Sequence, residues 1–352
     1  MHPFRVGICI IEVTRLKLQI AQLLNELCVD GNVKIIVIDL EKDLEEQGPF
    51  DVIIHKILEW YNDGEVVGGA KLLKLSDYVL RSNPPIKMID PIEETVRLAD
   101  RLYTMNVMKA CEFSMHGIKV FVPPYTYLNK DCSNETSLKT LKESGVGFPI
   151  VSKPPITRCD FEAHDFSLIF TPDKIADITG MLPCVVQQFV NHNSMLYKVA
   201  AVGETYYICE RPSVKNLDDN PDNADTVYFN SLSVSKRDRY NPDLHDRNPI
   251  GMKFRTSGKA EDERLESDRN LLDEKVVKEL LRRLYRQIDV SLIGIDIIVE
   301  EGTGNYGLID LNYLPSFDGV RRQMAKNIYD KLTKHKRKME ESSDEDTSSQ
   351  SE

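Results

Sequence analysis

The sequence predicts an α/β protein in two parts, a parallel-sheet segment over residues 1–90 and a body of mostly antiparallel sheet after it. Two observations carry this. Short apolar runs alternate with helical spacing through the first part, the rhythm of β-α-β units, whereas later apolar runs come in close pairs separated by turn residues. A length of 352 residues exceeds one typical domain, and 41% apolar composition suffices to bury a sizeable core.

In order, Val6–Ile11, Val33–Leu40 and Val52–Ile57 read as strands, with an amphipathic helix near Leu16–Leu27 between the first two. Asn83-Pro84-Pro85 marks a turn, and Asp90-Pro91 opens a helical region expected to run to about Met115. Phe121-Val122-Pro123-Pro124 closes a short strand. Phe148–Lys153, Ser167–Phe170 and Cys184–Val190 are the next strands, and Leu196–Glu210 folds back on itself at Gly203-Glu204. From Ser233 to Asn270 the chain is charged, carries Asn241-Pro242, Asn248-Pro249 and Gly258, and reads as a long loop. Leu271–Ile288 returns to helical spacing, Leu292–Glu300 and Gly307–Leu314 are strands, and Arg321–Leu332 is a final helix. Residues 335–352 turn acidic and serine-rich, a composition expected to stay disordered, with Ser342 and Ser343 in an acidic context. No internal repeat is present.

Composition narrows the function classes. The formal charge is −11, but six acids lie in the tail, so the folded body is nearer neutral and a local phosphate pocket is compatible with it. A broad nucleic-acid surface is not expected. No run of about 18 apolar residues occurs and the N-terminal residues lack a secretion pattern, so no membrane partner is expected and a cytoplasmic location, with nuclear presence, is. Seven scattered cysteines without a C-x-x-C pair read as reduced packing thiols.

The chemistry is concentrated near the C-terminus. Gly294-Ile295-Asp296-Ile297 and Leu308-Ile309-Asp310-Leu311-Asn312 are apolar strands each interrupted by one acid. A buried carboxylate needs a positive partner. Alternation puts Asp310 and Asn312 on one strand face, and a hairpin through Gly302-Thr303-Gly304 brings Asp296 beside them, an oxygen set that suits magnesium. The alternative is that both acids pair with lysines or cap turns. Lys153 and Lys198 stand in apolar strands, where a lysine either faces phosphates or reaches out to solvent. Gln187-Gln188-Phe189-Val190-Asn191 reads as a strand whose backbone meets an adenine edge, or as ordinary sheet. Arg101, Arg211, Lys56, His164 and His192 are further candidates for phosphate contacts, the histidines equally for structural roles. The phosphate-loop, protein-kinase and nucleophile-elbow motifs are absent from the sequence, and no histidine spacing suggests zinc.

With these residues, the chain resembles the inositol-tetrakisphosphate 1-kinase (inositol trisphosphate 5/6-kinase) family of the ATP-grasp fold. The likeness runs from Arg5 to about Arg322 and is strongest at Gln47–Lys56, Val185–Asn193, Leu196–Val199, Arg211–Ser213, Phe229–Ser231 and Gly294–Ile298. It implies a Rossmann-like subdomain over 1–90 and an ATP-grasp domain over 91–334, with ATP held between about 120–210 and 211–334. It implies that Arg101, Lys153, Gln187, Gln188, Phe189, Val190, Lys198, Ser213, Ser231 and Ser235 contact ATP. Asp296, Asp310 and Asn312 match its ligands for two magnesium ions, and Lys56, His164, Lys198 and Asn312 its inositol phosphate contacts. Lys198 and Asp310 are the catalytic candidates, acting on an inositol polyphosphate such as the 1,3,4-trisphosphate or the 3,4,5,6-tetrakisphosphate, in a monomer.

Three departures accompany the likeness. The family's glycine-containing loop is here Pro154-Pro155-Ile156-Thr157-Arg158-Cys159-Asp160, without glycine. The N-terminal substrate lysine position falls at Val13-Thr14-Arg15, and Pro315-Ser316 replaces proline-glycine. Two rivals therefore stand beside the kinase: an ATP-grasp ligase joining a carboxylate to an amine, and an inositol-phosphate sensor with impaired catalysis.

Overall fold

The computed structural model describes residues 3–10, 20–28, 33–56, 65–157, 162–217, 224–234, 254–256, 272–315 and 322–334. These fall into two compact units, one of residues up to Ile92 together with 322–334, the other Glu93–Pro315.

In the first unit, strands β1 (Phe4–Cys9), β2 (Val33–Val37), β3 (Val52–His55) and β4 (Lys87–Ile89) form a parallel sheet in the order β2-β1-β3-β4. Parallel strands need crossovers, and helices α1 (Ile20–Leu27), α2 (Leu44–Gln47) and α3 (Glu65–Arg81) lie in the segments between them. Cys9, Ile38, Leu44, Phe50, Ile53, Leu75 and Tyr78 share one buried cluster on this sheet. α4 (Ile92–Arg97) then leads into the second unit.

The helical region expected from Asp90 to Met115 is broken. α4 ends before Asp100, whose side chain accepts the Tyr103 N–H and starts α5 (Arg101–Ala110), a cap that periodicity alone does not distinguish from helix interior. β5 (Phe113–Met115) and β6 (Ile118–Phe121) follow as a hairpin, its turn made by His116 and Gly117 at φ 53° and 78°.

β7 (Tyr125–Leu128), α6 (Asn134–Glu143), β8 (Ile150–Lys153), β9 (Asp165–Ile169) and β10 (Cys184–Gln188) come next, with short 3-10 turns at Glu162–His164 and Pro172–Met181. The hairpin β11 (Met195–Val202) and β12 (Thr205–Pro212) turns at Gly203, as expected. β13 (Val227–Asn230), α7 (Ser231–Val234) and β14 (Phe254–Thr256) follow, then α8 (Glu274–Gln287), β15 (Leu292–Val299), β16 (Tyr306–Tyr313) and a helix over 322–334, α9. The loop expected over 233–270 thus contains β14, paired to β12; most of the rest of that loop lies outside the described residues, as does the tail 335–352.

Two sheets organise the second unit. One runs β13-β9-β8-β10-β7 and is antiparallel throughout. The other runs β14-β12-β11-β15-β16-β6-β5. It is antiparallel except where β16 meets β6 in parallel, because β6 enters from a distant part of the chain rather than through a hairpin. α8 buries Val276, Val277, Leu280, Leu281 and Leu284, and Asp273 caps its start by accepting the Lys275 and Val276 N–H groups. None of the described cysteines forms a disulfide, and burial pushes the Cys111 thiol up to about 11 and Cys184 to about 12, which makes them poor nucleophiles.

Candidate active site

β11, β15 and β16 lie side by side, and their register sets Lys198 opposite Asp296 and Asp296 opposite Asp310. Opposed residues of antiparallel strands share a face, so a cation and two acids stand in one row, with Asn312 beside them opposite Gly294. The row depends on an irregularity. Leu308 pairs with Ile297 while Asp310 pairs with Asp296, so Ile309 is an extra residue and β16 bulges there. In a regular strand Leu308 and Asp310 would point the same way; the bulge keeps Leu308 in the core and turns Asp310 to the row.

The other cations arrive from elsewhere in this unit. Lys153, at the end of β8, donates to Gln187 Oε1 at 2.7 Å and to the Ile309 carbonyl at 3.0 Å, and so joins the five-stranded sheet to the bulge. Arg101, the first residue of α5 and only 2% exposed, donates from Nη1 to Asp310 Oδ1 at 3.0 Å and from Nε to the Pro154 carbonyl at 2.8 Å. The Phe166 ring lies 5.4 Å from the Arg101 guanidinium and 5.8 Å from Lys153 Nζ. Asn312 Nδ2 donates to Asp310 Oδ2 at 2.9 Å.

Electrostatics divide the two acids. Burial alone would push Asp310 up, but Arg101, then Lys153, the Asn312 bond and Lys198 hold it below the ordinary carboxylate range. Asp296 is held above that range by burial, with Lys198 opposing and Asp310 adding to the rise. Lys198 lies 3.3 Å from Asp296 Oδ1, close enough for an ion pair, yet that buried oxygen has no hydrogen-bond partner among the described residues. Lys198 itself is raised, since Asp296 and Asp310 outweigh its burial. Lys153 is pushed down to about 7, first by burial and then by Arg101, with the two aspartates opposing.

Asp296 therefore has a buried oxygen without a hydrogen bond and a second carboxylate, Asp310, directly across from it, a pair of oxygen donors that a metal cation can bridge. No group of three or more His, Cys, Asp or Glu suited to a metal occurs among the described residues, so the donor set is two carboxylates and one amide. Few protein oxygens and no sulfur or imidazole fit magnesium, which keeps waters and shares phosphate oxygens.

The expected nucleotide strand is partly committed to the sheet. The Gln188 N–H donates to the Pro124 carbonyl and the Phe189 N–H to the Pro149 carbonyl, both at 2.8 Å, and Gln188 Oε1 accepts from Gly147 N. Gln187 is buried against Lys153 and Met105, and Phe189 packs against the Leu168 cluster. Ser213 is bonded to His192 at 2.7 Å and Ser231 to His164 at 3.1 Å. Lys56 belongs to the first unit, where its N–H donates to the Cys9 carbonyl. Ser235, Val13–Arg15, Ser316 and residues 158–160 lie outside the described residues. Phe166 and Met105 were not singled out by sequence, and Arg101 emerges as the direct partner of Asp310, 209 residues away.

Residues 114–332 match the model of the inositol 1,3,4-trisphosphate 5/6-kinase ATP-grasp domain, and residues 6–94 match the pre-ATP-grasp domain of the same family. The chain belongs to the inositol 1,3,4-trisphosphate 5/6-kinase family. As a member of that family it is an inositol phosphate kinase of the ATP-grasp fold. The inositol-tetrakisphosphate 1-kinase of Danio rerio is 32% identical over 298 residues, 84% of this chain and 70% of that protein. That of Xenopus laevis is 30% identical over 298 residues with the same coverage, 84% and 70%. Among solved structures, D-cycloserine synthetase DcsG superposes with a TM-score of 0.58 at 14% identity, covering 93% of this chain and 99% of that one. D-alanine-D-alanine ligase from Bacillus anthracis gives 0.55 at 13% identity, covering 94% and 95%. At such identities these ligases share the ATP-grasp fold with the family, and only the fold.

Proposed function

We propose that this kinase transfers the γ-phosphoryl group of ATP to a hydroxyl of an inositol polyphosphate, such as inositol 1,3,4-trisphosphate or inositol 3,4,5,6-tetrakisphosphate. The observation that carries the reading is the row Lys198, Asp296, Asp310, closed at one end by Arg101 and Lys153. Asp296, Asp310 and Asn312 would hold magnesium, two ions in the family's manner, and the metal supplies charge neutralisation for the phosphate oxygens. Lys153 and Lys198 face the same anionic groups, and a charged lysine there stabilises negative charge on the transferred group. Arg101, itself anchored on the Pro154 carbonyl, fixes the orientation of Asp310 at that end of the row. No separate general base is assigned, because a loose phosphoryl-transfer transition state asks little of one.

Nucleotide recognition falls to the end of β10. With the Gln188 and Phe189 amides already bonded, the Val190 N–H serves as a donor to an adenine edge, and Ser213, Ser231 and Ser235 complete the ATP contacts. His164, Lys198 and Asn312 bind the inositol phosphate. The domain division is 1–90, 91–334 and the tail 335–352, in a monomer acting in the cytoplasm. No helix among the described residues is long and apolar enough to cross a membrane.

The test is incubation with ATP, magnesium and a panel of inositol tris- and tetrakisphosphates, with products resolved by chromatography. A product carrying one more phosphate is expected from at least one acceptor. An amide product with phosphate release would instead identify a ligase. The second reading, a sensor with impaired catalysis, is favoured by the absence of glycine from 154–160. Calorimetric binding of an inositol tetrakisphosphate without turnover would establish it.

A further inference from the structure

Beyond β10 the chain turns through Asn191 to Ser194, with Asn193 and Ser194 at φ 56° and 58°. The turn is held from both sides. Asn191 Nδ2 donates to the Leu217 carbonyl at 2.9 Å while its Oδ1 accepts the Leu217 N–H at 2.8 Å. Asn216 Oδ1 accepts the N–H groups of His192 at 3.0 Å and Asn193 at 2.7 Å. Between these clamps sits His192, 5% exposed, with its ring 5.5 Å from that of Phe189.

His192 Nδ1 lies 2.6 Å from the Val190 carbonyl and Nε2 lies 2.7 Å from Ser213 Oγ. A carbonyl only accepts, so Nδ1 carries the proton. Burial holds the imidazole below its ordinary range, with the Val190 bond opposing, so the ring is neutral and Nε2 is an acceptor. The single proton of the Ser213 hydroxyl is then committed to His192. What Ser213 offers a ligand is its lone pairs.

We propose that His192 is a positioning residue that fixes Ser213 as a hydrogen-bond acceptor, so that Ser213 recognises a donor on the nucleoside, either a ribose hydroxyl or the amino group of the base. The inference rests on the reading of Ser213 as a nucleotide contact. It also fits a division of labour: His192 engages the Val190 carbonyl, and Ser213 supplies a further acceptor next to it.

The experiment is calorimetric titration of the full chain with the magnesium complexes of ATP, 2′-deoxy-ATP, 3′-deoxy-ATP and purine riboside triphosphate, which lacks the amino group and keeps N1 as an acceptor. It is run on the wild type and on Ser213→Ala, His192→Phe and His192→Gln. The wild type should lose about 3- to 10-fold in affinity for the one analogue that lacks the recognised donor. Which analogue it is tells ribose from base. Ser213→Ala should bind ATP that much more weakly and lose nothing further with the analogue. His192→Phe should behave like Ser213→Ala, while His192→Gln, which keeps one donor and one acceptor, should restore discrimination. If His192→Phe does not fold, Ser213→Ala carries the test. Equal losses in wild type and Ser213→Ala, or a wild type indifferent to all three analogues, would overturn the inference while leaving ATP binding intact. Failure of the wild type to bind ATP at all would overturn both this inference and the nucleotide reading.

Discussion

Arg101 and Lys153 reach the same corner of the site, but their chemistry differs. Arg101 keeps its charge when buried and is bonded to Asp310 and to the Pro154 carbonyl, so it acts as a strut. Arg101→Ala should lower stability on the order of 3 kcal/mol by breaking a largely buried pair. It should also reduce kcat about 10- to 100-fold by loosening a metal ligand. Paired thermal melts and turnover assays measure both, and wild-type turnover in a folded variant would refute the strut. Lys153, by contrast, titrates. Its amine is held at about 7 by burial and Arg101, whereas in the unfolded chain it holds its proton to about 10.4. The unfolded state therefore binds more protons between those values, and this lysine's cost to the fold is full below pH 7 and fades as pH rises. Lys153→Met should accordingly raise Tm relative to wild type more at pH 6.5 than at pH 9.5; a difference that does not change with pH would contradict the assignment. The sequence makes Lys153 visible as a lysine in an apolar strand. It could not show that Arg101 meets Asp310, because that contact joins a helix start to a strand 209 residues later.

The hairpin of β15 and β16 was legible as two apolar runs around Gly302-Thr303-Gly304, and the glycines at φ 76° and 72° do make the turn. The bulge at Ile309 was not legible. Regular alternation already puts Asp310 and Asn312 on one face, so nothing in the pattern asks for an extra residue. Only the pairing of Leu308 with Ile297 reveals it. The break between α4 and α5 escaped for a similar reason, since Asp100 acts as a cap through a single side-chain bond to Tyr103. Gly294 tests the packing of this hairpin. A Cβ there would stand 2.8 Å from the ring carbons of Pro315, which cannot rotate away. Gly294→Ala should therefore cost about 1–3 kcal/mol. Its Tm should fall by several degrees with reduced turnover, because Asn312 is paired directly across. An unchanged melt would show that Pro315 shifts freely.

At the scale of the whole molecule, parallel and antiparallel halves were readable because their apolar runs are spaced differently, and the two-unit division follows a change of topology. The crossing that brings β6 beside β16 was not readable, since no local signal marks which distant strand closes a sheet. The site itself draws on α5, β8, β11, β15 and β16, so it exists only when the second unit is folded. Its metal should be needed for chemistry rather than for folding, because Asp310 already has Arg101 and Asp296 has Lys198 nearby. Chelation should remove turnover and shift Tm by no more than about 2 °C; a large drop would make the metal a structural element. The most direct measurement is ATP-dependent phosphorylation of the best inositol phosphate acceptor across a magnesium titration, comparing wild type with Asp310→Asn. The account predicts saturable, metal-dependent formation of a product with one added phosphate, reduced at least about 100-fold in the variant. An equal rate in the two proteins would contradict it.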